Sequence, residues 1–186
     1  MEQKVLRQSL GVDVSKASLS VCLGSLLSDL NKSFLAGSDV SNDLEGFEAL
    51  LVWLDSIRDP DVDLTIVMEA TGVYHEAFAY FLYEQGYVVC IMQSGRVKRY
   101  AQSLDQRSKT DALDSKMLSM LGCERQLRRW EPPSILLQEL KALSRERSTL
   151  LKEKTIMINR LEALGRGAHA NKRTLSRYKK RIALLN

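Results

Sequence analysis

Two adjacent prolines, Pro132 and Pro133, constrain this chain more than any other feature. Neither a helix interior nor a central strand tolerates the pair, because proline has no N–H and its ring clashes with the preceding turn. They are expected to stop the helix before them and to separate residues 1–131 from a second part, 134–186. Charge divides at nearly the same place. Residues 1–124 hold 11 Lys+Arg and 18 Asp+Glu, net −7, whereas residues 125–186 hold 16 and 5, net +11. An acidic body with a strongly basic tail points to a polyanionic partner for the tail, although a solvated charged helix has the same composition.

Before the prolines, strand and helix periods alternate. Residues 9–15 and 19–24 read as strands around Lys16-Ala17-Ser18, and 32–35 as a weaker one. In 44–57, Leu44, Phe47, Leu51 and Leu54 share a helical stripe. The run 64–68 ends in Glu69 and the turn Ala70-Thr71-Gly72. A helix over 74–85, a strand over 87–92 and helices near 95–103 and 111–122 follow. Elements interleaved in this way predict an α/β fold, a mixed sheet with helices on both faces.

After the prolines, Ser134 is a candidate N-cap for a helix running to about Leu164. Leu136, Leu143, Leu150, Met157 and Leu164 recur every seventh residue, while the companion column Leu140, Arg147, Lys154, Leu161 is apolar only at its ends. The pattern predicts a coiled-coil-type arm or helical hairpin, broken at Gly165 and Gly167, with a last basic helix over 172–185. An apolar seam on an isolated helix needs a partner, so the arm is expected to make the chain a homo-oligomer.

The chain is 45% hydrophobic and 27% charged, as in folded proteins, and no apolar run approaches the ~18 residues of a membrane span. Cys22, Cys90 and Cys123 lie in apolar stretches without metal spacing, which fits buried thiols in a reducing cytoplasm.

Four carboxylates sit awkwardly for a core. Asp13 lies mid-strand on the face opposite Leu10, Val12 and Val14, and Gly11 on its own face leaves room for an approach. Glu69 ends a strand, where open α/β sheets bind ligands. Asp114 falls inside the apolar arc of its helix, with Asp111 at the arc's edge. Carboxylates from separate segments, with no His or Cys set, suit a hard ion, Mg²⁺ or Mn²⁺, of the kind that stabilises phosphoryl transfer.

The segments LGVDVSK (10–16), MEATGVYHE (68–76), RVKRYAQS (96–103) and SKTDALDS (108–115) together resemble the insertion-sequence-110 family of DEDD transposases and the related pilin-gene invertases. The resemblance covers roughly residues 8–125 and continues loosely beyond Pro133. It implies a ribonuclease-H-like, RuvC-like domain whose catalytic, metal-binding tetrad is Asp13, Glu69, Asp111 and Asp114. It further implies DNA as substrate in transposition or recombination, oligomeric action, a structured noncoding RNA that can choose the DNA, and a bacterial cytoplasmic location at the nucleoid. Lys16, Arg96, Lys98, Arg99, Arg107 and Lys109 border the motifs and, with Lys172, Arg173, Lys179, Lys180 and Arg181, are candidates for phosphate contacts. The Asn-Pro usual in the family after the last strand is replaced by Gln93-Ser94-Gly95. Family members carry a further C-terminal domain with a catalytic serine, for which residues up to Asn186 offer no candidate. Two other readings are a truncated, non-catalytic nucleic-acid-binding and oligomerisation remnant, and a stand-alone resolvase-like nuclease.

Overall fold

The computed structural model describes residues 4–104, 110–167, 169 and 171–185. Two compact units divide between Pro132 and Pro133.

The first unit opens with three antiparallel strands: β1 (Val5–Val14), β2 (Ser18–Leu27) and β3 (Lys32–Ala36). A two-residue strand, β4 (Val40–Ser41), pairs with the start of β2 and has no signature in the sequence. Helix α1 (Leu44–Ile57) then begins where the Asp43 side chain accepts the Gly46 N–H at 3.0 Å. That hydrogen bond, seconded by the Ser41 hydroxyl, holds the Asp43 carboxyl below its ordinary pKa. The buried stripe of α1 is Gly46, Phe47, Leu50 and Leu54, one position round from the expected one, so Leu44 is exposed.

The chain returns through β5 (Leu64–Glu69), parallel to β1, then α2 (Glu76–Glu84) and β6 (Val88–Met92), parallel to β5. Gly72, at φ +56°, takes the left-handed turn between β5 and α2, a conformation glycine adopts without strain. The sheet order is β3-β2-β1-β5-β6. Helices α3 (Ser94–Ser103) and α4 (Asp111–Glu124) follow. This is an α/β unit built on a mixed sheet with flanking helices, as the alternating strand and helix periods predict.

Alternation along β1 and β5 divides the core in two. Leu10, Val12, Ile66 and Met68 face α1 and α2, where Phe47 and Phe78 meet at 4.8 Å between ring centres. Val67 faces the other way, into a cluster with Val97, Tyr100, Met117, Leu118 and Leu121 of α3 and α4. Against β1, however, α4 presents Ser115, Ser119 and Gly122, all buried, rather than large apolar groups. The room expected beside Gly11 is taken by this helix: a Cβ on Gly11 would fall on the Ser115 carbonyl and the Ser119 amide. Gly24 and Gly122 permit the same close approach, and the Ser119 hydroxyl donates to the Ser9 carbonyl at 3.0 Å.

The prolines do not stop α4, which ends well before them at Glu124. From Arg125, in extended conformation, residues 125–132 form a strap along β6, the outermost strand of the sheet. The Trp130 N–H donates to the Val89 carbonyl at 2.7 Å. Leu127 packs on the α3–α4 cluster and Trp130 on the other, its ring edge-on to Tyr80 at 5.3 Å, so the strap crosses the sheet edge from one layer to the other.

The second unit holds α5 (Ile135–Arg166) and α6 (Lys172–Leu184). Ser134 caps α5 by accepting from the Leu137 N–H at 3.4 Å, and Asn171 caps α6 through the Arg173 and Thr174 amides. Gly165, expected to break the helix, lies inside α5, and Gly167 is its C-cap. Helix α6 packs against α5, whose half-buried positions fall in its second half: Lys154, Met157, Leu161 and Leu164. In the first half, Leu136, Leu140 and Leu143 are 75%, 61% and 63% exposed.

Candidate active site

The parallel ladder pairs Gly11 with Val67 and Val12 with Met68. Asp13 and Glu69 follow these last paired residues, at the carboxyl ends of adjoining strands. Asp13 shares the face of Gly11, and Glu69 that of Val67, so both lie on the face that α4 covers. Both are half-buried.

Helix α4 runs down β1 in the opposite direction. Its Gly122 and Ser119 lie at Ser9, and its Ser119 and Ser115 at Gly11. Two strand residues thus match about four helical ones, as rises of roughly 3.3 and 1.5 Å per residue require. One more step brings the level of Asp13 to the first turn of α4, which holds Asp111 and Asp114. Thr110 caps this turn by accepting the Leu113 N–H at 3.3 Å. The positive end of the helix therefore favours acids at 111 and 114 alike, a stabilisation the helical wheel did not credit to Asp114. Asp111 is exposed and Asp114 half-buried.

The backbone thus brings four carboxylates to one end of the unit. Among the described residues, however, no three His, Cys, Asp or Glu side chains are gathered closely enough to hold a metal ion. Asp13 with Glu69, and Asp111 with Asp114, form two acidic pairs. In chemistry the set is oxygen-only, which fits Mg²⁺ or Mn²⁺ rather than a softer metal.

The loops at this end are tied together by Asn42, which no sequence motif marks. Asn42 Nδ2 donates to the carbonyls of Ser15, at 2.8 Å, and Tyr74, at 3.1 Å, joining the β1–β2 turn to the segment after Glu69. Lys16 is exposed on that turn. His75, in the same segment, is buried at the start of α2 and packs there instead of lying on the surface.

Of the basic candidates, Arg96, Lys98 and Arg99 are exposed on α3, and Arg96 and Arg99 share one wall of a cavity at the carboxyl end of β6. Lys172, Arg173, Lys179, Lys180 and Arg181 are exposed on α6. Arg107 and Lys109 lie outside the described residues. Missed by the sequence reading were Arg125, Arg128 and Arg129. Charge alone groups them with the basic tail, but they lie on the strap of the α/β unit. With the strap included, residues 1–132 carry 14 basic and 19 acidic side chains, and residues 133–186 carry 13 and 4.

Buried thiols offer no nucleophile. All three cysteines are buried and free, and burial pushes the Cys123 thiol up to about 11. Among the described residues, no helix is long and apolar enough to cross a membrane.

A family model for the DEDD transposases of IS110, described as a transposase, matches residues 10–169. Pilin gene-inverting proteins of Moraxella bovis and Moraxella lacunata are each 30% identical over 150 residues, covering 78% of this chain and 45% of the relative. The chain therefore spans less than half the length of these relatives. Among solved structures, T. thermophilus RuvC in complex with a Holliday junction substrate aligns with TM-score 0.49 and 10% identity, over 66% of this chain and 99% of that one. The Thermoplasma acidophilum Pelota protein aligns with TM-score 0.35 and 15% identity, over 63% and 40%.

Proposed function

The chain belongs to the IS110 family of DEDD transposases, and on that premise we propose that it acts in DNA transposition or recombination, with Asp13, Glu69, Asp111 and Asp114 as its catalytic, metal-binding residues. The observation that supports this reading is the β1–β5 register, which ends at Val12 and Met68, the residues immediately before Asp13 and Glu69. Mg²⁺ or Mn²⁺, when bound, would supply charge stabilisation to a phosphodiester undergoing transfer. Asp13 and Glu69 furnish the fixed half of the ligand set, because both stand on central parallel strands. Asp111 and Asp114 furnish the other half, from the first turn of α4. The N-terminus of α4 also offers amides and a positive dipole to an anionic backbone.

Functionally, residues 1–131 form the catalytic domain and residues 134–186 a basic arm that pairs with the arm of a second copy. DNA, with a structured noncoding RNA able to select it, is the partner chemistry that suits an arm with nine excess positive charges. The exposed leucines of α5 support pairing, since a two-helix unit with no buried residue leaves them in water.

The decisive experiment is calorimetric titration of Mg²⁺ and Mn²⁺ into the wild type, Asp13→Asn and Asp114→Asn. The wild type should bind, with each variant at least ten-fold weaker, and metal should raise the melting temperature of the wild type alone. Equal affinity in all three would remove the shared site and favour a non-catalytic nucleic-acid-binding role. Metal-dependent cleavage of branched DNA by the 186-residue chain would instead favour a stand-alone nuclease.

A further inference from the structure

Helix α3 and the strap enclose two adjoining cavities at the carboxyl end of β6. One, of about 560 Å³, is lined by Arg96, Arg128 and Arg129; the other, of about 320 Å³, by Arg96, Arg99 and Arg125. Met92 and Arg96 belong to both, so together they form one continuous groove. Five guanidinium groups line it against one carboxylate, Glu131. Among the described residues none of the five makes an ion pair, and the nearby Glu124 is already held by Lys32 at 2.6 Å and the Tyr100 hydroxyl at 2.7 Å. Arg125 instead lies over the Tyr100 ring at 5.9 Å.

Five guanidiniums around these cavities repel each other, and Glu131 with Glu124, the latter already engaged by Lys32, offsets only part of the repulsion. A polyanion would offset the rest. Guanidinium groups also match phosphate oxygens bidentately, which distinguishes such a groove from a diffuse basic surface. Two features fix its position. Gln93, at the end of β6, precedes the amide-rich start of α3, which adds positive potential at the mouth. Met92 is paired with Glu69 in the parallel ladder, so the groove opens one strand away from the Asp13–Glu69 pair.

From this arrangement we infer that the α3–strap groove is a phosphodiester-binding site. It holds the backbone of a DNA strand so that the strand continues across the carboxyl ends of β5 and β1. The inference rests on the transposase reading above and assigns to the otherwise acidic unit a DNA contact of its own. Arg128 and Arg129 contribute charge and Arg96 joins the two halves, while Trp130 fixes the strap by its packing and its bond to Val89.

The test uses the full chain and a labelled DNA duplex of about 30 base pairs, followed by fluorescence anisotropy over a salt series from about 50 to 200 mM. Arg128→Gln with Arg129→Gln should weaken binding at least five-fold at the middle of the series. It should also reduce the slope of log affinity against log salt by about 1.8, at roughly 0.9 per lost phosphate contact. Arg128→Lys with Arg129→Lys should restore the slope while leaving affinity below wild type. Arg99→Gln, on the opposite wall, should lower the slope by about 0.9 without touching the strap. Unchanged affinity and slope in the glutamine pair and in Arg99→Gln, with the wild type binding, would overturn the groove and leave the transposase reading intact. A wild type that binds no duplex even at the lowest salt would overturn both. Retained metal affinity in the glutamine pair keeps the groove's failure distinct from failure of the carboxylate site.

Discussion

The α/β unit and the helical arm use opposite resources. The unit buries two layers of side chains about a sheet whose central strand, β1, is covered on both faces. The arm has 45 residues in two helices and buries none of them. Its helices rest on caps, on local propensity and on the contact between α5 and α6, which leaves its first half as an apolar row in water. Long-range packing thus fixes the position of groups in the unit, whereas the arm presents a surface whose stability another molecule can change.

The largest effect expected from this contrast is at Gly11. Gly11→Val places a branched side chain on the backbone of α4 and should cost more than about 4 kcal/mol, abolishing the cooperative thermal transition of the unit. A variant that melts within a few degrees of wild type would show that α4 can lift from β1, and the fixed-body half of the comparison would fail.

Next come paired truncations. Leu118→Ala, in the α3–α4 core, should cost about 2–5 kcal/mol in chemical denaturation, and Leu143→Ala, in the arm, less than about 0.5. A large, concentration-dependent cost at Leu143 would mean that a second copy covers the row. That outcome would sharpen the comparison into one between a self-sufficient unit and an arm completed by assembly.

Two smaller effects probe the ends of α4. Thr110→Ala removes the cap of the turn bearing Asp111 and Asp114 and should cost about 1 kcal/mol in thermal stability. The loss should be accompanied by faster amide exchange in that turn than in the rest of the helix. At the other end, partial burial pushes the Glu124 carboxyl up, but its bonds from Lys32 and Tyr100 outweigh this and leave the pKa below the ordinary 4.5. A depressed carboxyl pKa adds stability above the ordinary value and loses it as the pH falls through the folded one. Glu124→Gln should therefore cost less than about 1 kcal/mol at neutral pH, and the two proteins should converge as the pH falls through the depressed carboxyl pKa. A gap that persists in acid would assign the effect to packing instead of charge.

Much of the sheet was legible, because β1 and β5 carry the period-two pattern and α1 and α2 the helical one. What escaped was whatever depends on a partner element. Nothing local marks β4, which exists because β2 lies beside it, and β1 starts four residues earlier than its apolar run because β2 extends to pair with it. The seat of α4 was misread for the same reason. Its buried face toward β1 is Ser115, Ser119 and Gly122, whose smallness is a packing requirement that hydrophobic periodicity does not register. For the carboxylates, the faces of Asp13 and Asp114 could be read from alternation and from the helical wheel. The adjacency of Asp13 and Glu69 required the ladder register. Charge alone groups Arg128 and Arg129 with the tail, since nothing in their own sequence shows that Trp130 ties the strap to β6.

The bond from Trp130 to Val89 also has a bearing on self-assembly. Without residues 125–132, β6 would end the sheet with its outer amides and carbonyls bare, next to an apolar face stripped of Leu127 and Trp130. Such an edge is a template for adding a strand from another chain. A version of the unit cut at the end of α4 should thus be prone to growing sheets edge to edge. The strap is in this sense a lateral stopper, and the shortest α/β unit that stays monodisperse is the one that keeps it.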